Sequence, residues 1–261
     1  MPDFAQKVAL VTGGGSGIGR AASQRLALEG ASVVVVDRDE ATARRTVELI
    51  AAAGGTAIAV AADIASEADN KAMFDAAEQA FGGVDAAFLN AGILQAYVPF
   101  DRLTVETFDR VISVNLRGAF LGAQQAQARL RPGGACVVTS SGAGIIGFAE
   151  AAAYSMSKHG VVGLVRSAAA SFAARSLRIN AICPGMVLTS MNGLAAVETV
   201  DDPQDLTDPE YRGALTGQQV AEVALFLLSR RSVALNGQAQ LVDAAALSSF
   251  PPLPEEALSA Q

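Results

Sequence analysis

The sequence has no tryptophan, one histidine and two cysteines, Cys136 and Cys183. A single histidine leaves a metal site almost without ligands, so we expect no metal. Two cysteines inside apolar, strand-like runs are too few for a disulfide framework, and we expect buried, unreactive thiols. Because aromatic residues make up only 5% of the chain, the core must consist mainly of alanine, valine, leucine and isoleucine.

Positive charge is also scarce. The 19 lysines and arginines are outnumbered by 26 acidic residues, which gives a net charge of -7, and they are scattered rather than clustered. We therefore expect no nucleic-acid partner. No apolar run reaches the roughly 18 to 20 residues that a membrane-spanning helix needs. An apolar run already begins at Val8, which leaves no room for a signal peptide, so we expect a soluble, cytoplasmic protein.

Apolar β-branched runs alternate with segments of helical period along the chain. The strand-like runs, such as ASVVVVD, are apolar throughout, which is typical of parallel strands covered by helices on both faces. The pattern predicts an α/β fold, a Rossmann-like, doubly wound parallel sheet of about seven strands. Helices are predicted over 17–29, 39–53, 66–81, 104–129, 152–174 and 217–229.

No linker interrupts this alternation, so we expect one domain over residues 1–261. Residues 186–216 are long, acidic in the middle and poor in period, as expected for a lid over a substrate. The tail over 247–261 is rich in proline, which predicts an extended segment.

A glycine-rich turn, Thr12 to Gly19, follows the first strand and leads directly into a helix. Glycines let the backbone approach a pyrophosphate, which the free N–H groups and the positive end of the helix bind. Strand, turn and helix in this order predict a dinucleotide site rather than an ordinary glycine-rich turn.

Asp37 ends the second strand, 18 residues after Gly19. A carboxylate there accepts hydrogen bonds from the adenosine ribose hydroxyls and repels the extra phosphate of NADP. The cofactor is therefore predicted to be NAD. Arg38 follows and could bind that phosphate, so NADP remains the alternative.

Further polar residues follow the third and fourth strands, at Asp63 and at Asn90-Ala91-Gly92. Ligands of open parallel sheets bind at the carboxyl ends of the strands. Asp63 is placed to bind the adenine amino group. Its alternative role is to cap the helix that starts near Ser66.

Tyr154 and Lys158 are four residues apart in a helical segment, which puts the phenol and the ammonium on one face. A nearby cation favours the phenolate, so we expect Lys158 to lower the pKa of Tyr154 and prepare it for proton exchange with an alcohol or carbonyl. Ser141 ends an apolar strand and would hold the substrate oxygen. Asn115 is polar where its helix should be apolar, which indicates a kink and a water that relays protons from Lys158.

Together these motifs resemble the short-chain dehydrogenase/reductase family along the whole chain. The resemblance implies a catalytic tetrad of Asn115, Ser141, Tyr154 and Lys158, with Lys158 also binding the nicotinamide ribose. It implies further cofactor contacts at Gly13, Ser16, Gly17, Ile18, Gly19, Asp37, Asp63, Ile64, Asn90, Ala91, Gly92, Pro184, Gly185, Val187 and Thr189. The family commonly forms homotetramers through the helices at 104–129 and 152–174, so we expect a tetramer, or else a dimer.

One departure from the family pattern lies after the last strand. The family usually has Asp-Gly-Gly there, whereas this chain has Asp243-Ala244-Ala245. The missing glycines put the usual turn in doubt.

The predicted substrate pocket is mostly apolar and has no cluster of lysine or arginine. This favours a secondary alcohol or ketone with an aliphatic or aromatic body. An NADP-dependent reductase of carbonyls or 3-oxoacyl thioesters is the alternative enzyme, and a catalytically silent protein that binds dinucleotide or a partner is the alternative of another class. The predicted lining is Leu94, Gln95, Tyr97, Ala143, Ile145, Ile146, Phe148, Met186, Val187 and Met191.

Overall fold

A computed structural model describes residues 3–189, 191, 215–244 and 246–247 of the chain. Within them, seven parallel strands form one sheet in the order β3-β2-β1-β4-β5-β6-β9. This confirms the predicted fold class. The strands are β1 (Val8–Thr12), β2 (Ser32–Asp37), β3 (Thr56–Ala61), β4 (Val84–Leu89), β5 (Leu130–Thr139), β6 (Arg178–Pro184) and β9 (Ala239–Val242).

The helices follow the predicted boundaries closely, with one exception. The region predicted as one helix over 104–129 is α4 (Val105–Ile112), a π-helical turn (Ser113–Arg117) and α5 (Gly118–Arg129). In the described ranges, no helix combines the length and hydropathy that crossing a bilayer requires. The other helices are α1 (Gly17–Leu28), α2 (Glu40–Ala52), α3 (Glu67–Phe81), α6 (Ala152–Ala173) and α7 (Gly217–Leu228).

Helices cover both faces of the sheet, which explains the continuously apolar strands. In β2, Val33 and Val35 pack into the core beneath α1, α2 and α7, whereas Val34 and Val36 pack into the core beneath α3, α5 and α6. Alternate residues of a strand point to opposite faces. Every position of such a strand therefore has to be apolar.

The strand order reverses between β1 and β4, which are neighbours in the sheet. β1 leads on one side to β2 and β3, and β4 leads on the other side to β5, β6 and β9. The connections that leave the carboxyl ends of β1 and β4 therefore diverge and leave a crevice, the usual place for a ligand in an open α/β sheet. The glycine-rich turn and Asn90 stand at this crevice.

Both cysteines lie in central strands, Cys136 in β5 and Cys183 in β6, with no exposed surface. Neither forms a disulfide. Burial raises the pKa of both thiols. The prediction of buried thiols is confirmed.

The segment predicted as a lid begins and ends in a short parallel ladder that the sequence did not reveal. β7 (Val187–Leu188) pairs with β8 (Leu215–Thr216), and the Leu215 N–H donates to the Met186 carbonyl at 2.8 Å. Residues 190 and 192–214, which contain most of the predicted lid, lie outside the described residues, as does the tail beyond 247.

The turn after β9 shows how the chain manages without the expected glycines. Ala244 has a φ of 50°, in the left-handed region that glycine adopts without steric cost. An L side chain in this region costs about 1 to 2 kcal/mol. Ala244 therefore adopts a left-handed conformation with strain, while Ala245 lies outside the described residues.

Replacing Ala244 with glycine is expected to raise the free energy of unfolding by about 1 kcal/mol, because it relieves this strain. Urea unfolding followed by circular dichroism would measure it. Ala51→Gly is the control: Ala51 is exposed within α2, so glycine there should only add entropy to the unfolded chain and lower stability. Equal effects of the two variants would contradict the strain at Ala244.

Candidate active site

The glycine-rich turn brings the backbone close to the carboxyl ends of β1, β2 and β4. Gly13 has a φ of 64°, and a Cβ there would lie 3.0 Å from the Ala91 Cα. A Cβ at Gly19 would overlap the Gly13 carbonyl. The turn therefore requires glycine at both positions, and the segment from Ser16 to Ile18 lines the crevice.

Asp37 stands directly beside this turn. Its carboxylate accepts hydrogen bonds from the Gly15 N–H at 3.0 Å and the Asp39 N–H at 3.1 Å. The side chain is partly exposed and its position is fixed by these bonds. Arg38, in contrast, is exposed.

Asp63 is not the cap of α3. Ser66 is the N-cap, and its hydroxyl accepts from the Asp69 N–H at 3.2 Å. The Asp63 carboxylate instead accepts from the Ala65 N–H at 2.9 Å within the turn after β3. The alternative role predicted for Asp63 is therefore wrong. Ile64 faces Gly118, where a Cβ would lie 2.9 Å from the Ile64 Cδ1.

Thr12 holds the segment after β4, a role that sequence reasoning missed. Its buried hydroxyl accepts hydrogen bonds from the Asn90 N–H at 3.0 Å and the Ala91 N–H at 3.1 Å. Thr139 donates to the Asn90 side chain at 3.1 Å. Both threonines end apolar strands, and a polar residue in that position was the available signal.

Ser141, Tyr154 and Lys158 come together in the same crevice. Ser141 follows β5 and lies close enough to the Tyr154 phenol to affect its pKa. Lys158 lies one helical turn beyond Tyr154 in α6, with its Nζ 5.6 Å from the centre of the phenol ring. The Lys158 ammonium donates to the Thr139 carbonyl at 2.9 Å. The helix thus places both side chains on one face.

The pKa of Tyr154 is raised, mainly because the phenol is buried; the hydrogen bond from Ser141 opposes the shift and Tyr97 adds to it. The expectation that Lys158 lowers this pKa is therefore wrong here. The ammonium lies over the ring, and burial sets the direction of the shift. Burial also lowers the pKa of Lys158 to about 8.

Asn115 lies in the π-helical turn, which interrupts the helix at the place where a kink is predicted. Its side chain accepts from the Ile93 N–H at 2.8 Å and donates to the Ile93 carbonyl at 2.9 Å and to the Ser157 hydroxyl at 3.1 Å. A Cβ at Gly92 would lie 3.1 Å from the Asn115 Oδ1 and 3.3 Å from the Lys158 Nζ. Asn115 therefore fixes the chain next to Lys158.

Ser141, Tyr154, Lys158 and the segment from Ser16 to Ile18 surround one cavity of about 520 Å³, which Asn115 and Asp37 do not line. Seven of the ten residues predicted to line the substrate pocket do so, and Gln95, Ile145 and Ile146 are corrections; Ile145 is exposed and outside the lining. Gln95 is buried and accepts from the Tyr154 N–H at 2.9 Å, so it holds the start of α6. Ile146 is exposed outside the lining. The described lining is Ser16, Gly17, Ile18, Asn90, Gly92, Leu94, Tyr97, Thr139, Ser140, Ser141, Ala143, Phe148, Ala151, Tyr154, Lys158, Pro184, Gly185, Met186, Val187, Thr189 and Met191.

The low pKa of Lys158 gives a prediction for stability. Below about pH 8 the folded protein carries a buried ammonium, at a cost. Above that pH it loses the proton, whereas the unfolded chain keeps it up to the ordinary lysine pKa of 10.5. The unfolded state then binds more protons, so the stability contribution of Lys158 rises with pH.

We therefore expect the stability of wild type relative to Lys158→Met to rise by about 2 kcal/mol between about pH 7 and pH 9.5. Urea unfolding of both proteins at the two pH values measures it. Lys71→Met, at an exposed lysine, is the control and should show no such change. A constant difference for Lys158→Met would mean that this lysine does not titrate below its ordinary pKa.

Comparison with known proteins gives matches along nearly the whole chain. A family model described as enoyl-(acyl carrier protein) reductase matches residues 13–244. The chain is 38% identical over 245 residues to a cyclohexanol dehydrogenase of Acinetobacter sp. (strain SE19), covering 93% of this chain and 95% of that protein. It is 38% identical over 252 residues to 3beta-hydroxysteroid dehydrogenase 1 of Eggerthella lenta, covering 92% and 94%.

A solved structure agrees with the sequence matches. The crystal structure of levodione reductase superposes with a TM-score of 0.82 at 32% identity, covering 95% of this chain and 100% of that one.

Proposed function

The chain belongs to the short-chain dehydrogenase/reductase family of oxidoreductases, and from this premise we propose that it transfers hydride between NAD and a cyclic secondary alcohol or its ketone. The observation that carries the proposal is the meeting of Ser141, Tyr154 and Lys158 with the glycine-rich turn around one cavity. The proposed proton donor and the proposed dinucleotide site thus border the same cavity.

Members of the family use a nicotinamide dinucleotide, and the residues of this chain fit one. The turn at Gly13–Gly19 requires glycine at Gly13 and Gly19, and its backbone N–H groups would bind a pyrophosphate at the first turn of α1. Asp63 and Ile64 would hold the adenine, Lys158 the nicotinamide ribose, and Pro184 to Thr189 the carboxamide. When bound, the cofactor donates or accepts the hydride.

The preference for NAD rests on Asp37. Its carboxylate is fixed beside the glycine-rich turn through Gly15, where the adenosine ribose would lie. A fixed negative charge there favours the free hydroxyls of NAD over the phosphate of NADP.

Tyr154 exchanges the proton with substrate. Because burial raises its pKa, the phenol is neutral at physiological pH and donates its proton to the carbonyl oxygen during ketone reduction. In alcohol oxidation the same oxygen must act as the phenolate, and it then accepts the proton of the alcohol. Ser141 hydrogen-bonds the substrate oxygen. A water at the π-helical turn around Asn115 relays protons from Lys158 towards solvent.

The substrate class follows from the cavity wall and the relatives. The wall away from the glycine-rich turn is formed largely by Leu94, Ala143, Phe148, Met186 and Met191, which suits an apolar ring. Cyclohexanol dehydrogenase and a hydroxysteroid dehydrogenase are among the relatives. Among described residues the lining has no basic side chain besides Lys158, which disfavours a thioester of an anionic carrier.

We also propose a single-domain homotetramer or dimer in the cytoplasm. One sheet carries both the cofactor and the substrate side of the crevice, which supports a single domain. α5 and α6 pack side by side and leave Phe120 and Met156 exposed. Such an apolar face suits a second copy of the chain.

The test is a panel of cyclic secondary alcohols with NAD and NADP, and of the ketones and 3-oxoacyl thioesters with the reduced cofactors, read by absorbance of the reduced nicotinamide. We expect turnover with cyclic substrates and NAD. Turnover only of 3-oxoacyl thioesters with NADPH would favour the alternative enzyme. Cofactor binding without turnover of any substrate would favour a silent binder.

A further inference from the structure

One polar side chain interrupts the apolar wall on the substrate side of the cavity. Tyr97 lines the cavity together with the apolar side chains of Leu94, Phe148, Met186 and Met191. In the proposed function, Ser141 holds the oxygen at the reacting carbon and Tyr154 exchanges a proton with it. The Tyr97 phenol in this wall therefore has no role in the proposed proton transfer.

The backbone around Tyr97 is fixed to the segment that carries the catalytic tyrosine. On one side, Gln95 is buried and its Oε1 accepts from the Tyr154 N–H at 2.9 Å. On the other side, the Val98 N–H donates to the Glu150 carbonyl at 2.9 Å. Tyr97 lies between these two anchors, so its position relative to Tyr154 is set by direct hydrogen bonds.

The Tyr97 hydroxyl is available to a ligand. The side chain is 58% exposed, and within the described part of the chain its hydroxyl has no hydrogen-bond partner. The phenol is nonetheless near enough to Tyr154 to contribute to the raised pKa of that residue. Tyr97 and Tyr154 thus both line the same cavity, and the Tyr97 hydroxyl has no hydrogen-bond partner among the described residues.

We propose that Tyr97 is a specificity-determining residue that hydrogen-bonds a second oxygen of the substrate, so that the preferred substrates are cyclic diones, hydroxyketones or diols. The inference rests on the proposed function. The second oxygen is a neutral hydroxyl or carbonyl, since Lys158 is the one charged side chain in the described lining and no cation is left to pair with a carboxylate or phosphate.

The test compares cyclohexane-1,4-dione with cyclohexanone as substrates for wild type and Tyr97→Phe, with NADH. Wild type should have the higher kcat/KM for the dione. Tyr97→Phe keeps the ring and removes the hydroxyl, so kcat/KM for the dione should fall about tenfold, while that for cyclohexanone should change less than about twofold.

Phe148→Leu is the matched control, because it alters an apolar contact in the same wall and should affect both ketones alike. Equal losses for both ketones in Tyr97→Phe, or no loss for either, would overturn the assignment while leaving the proposed function intact. If wild type reduces neither ketone with NADH or NADPH, the proposed function fails and this inference with it.

Discussion

Replacing Tyr154 with phenylalanine is expected to lower kcat/KM for ketone reduction about a thousandfold, the usual effect of losing a general acid. In the proposed mechanism the phenol donates the proton, and the rise in its pKa through burial keeps the proton on it at neutral pH. The change removes one oxygen and keeps the ring beneath the Lys158 ammonium. Packing and cofactor binding should therefore persist.

The measurement is steady-state reduction of a cyclic ketone, with cofactor affinity determined separately by fluorescence of the reduced nicotinamide. Met156→Leu is the control, since this exposed residue lies on the same helix. It should keep nearly full activity. A Tyr154→Phe protein with unchanged turnover would exclude the phenol as proton donor, and one that fails to bind cofactor would place Tyr154 in binding instead.

Replacing Asp37 with asparagine is expected to lower the preference for NADH over NADPH, taken as the ratio of kcat/KM values, about 100-fold. The amide removes the negative charge that would repel the phosphate and weakens the hydrogen bonds to the ribose hydroxyls. An amide oxygen still accepts the hydrogen bond from Gly15 that holds the turn, and only the exposed bond from the Asp39 N–H is lost. Stability should therefore change little.

Asp39→Asn is the control for a general effect of charge, because Asp39 is exposed two residues further on and caps α2. Asparagine also caps helices well, and the ratio should change less than about threefold. Equal shifts in the two variants would mean that overall charge, rather than the Asp37 carboxylate, sets the preference. A wild type that prefers NADPH would refute the role of Asp37 directly.

The strand pattern and the glycine-rich turn could be interpreted from local sequence because their physical causes are local. A strand such as β2, buried on both faces, is apolar at every position, and no other arrangement tolerates that run so well. The short ladder of β7 and β8 could not be predicted, because two residues per strand carry no period and their pairing joins distant segments.

The same distinction between local causes and contacts of distant segments applies to the side chains of the site. The i, i+4 spacing places Tyr154 and Lys158 on one helix face whatever surrounds them. The direction of the Tyr154 pKa shift depends instead on how deeply the fold buries the phenol. Gln95 was assigned to the substrate pocket from its neighbours in sequence, and only the packing of its loop against α6 shows that it binds the Tyr154 N–H instead.

The sequence by itself determined the succession of strands and helices and the place of the glycine-rich turn, because periodicity and backbone sterics act over a few residues. Only the tertiary structure decided which polar groups form hydrogen bonds within the chain and which remain available to a ligand. Hydrogen bonding and desolvation are set by residues far apart in sequence, as Thr12 with Asn90, Gln95 with Tyr154 and the unpartnered hydroxyl of Tyr97 in the described part of the chain illustrate.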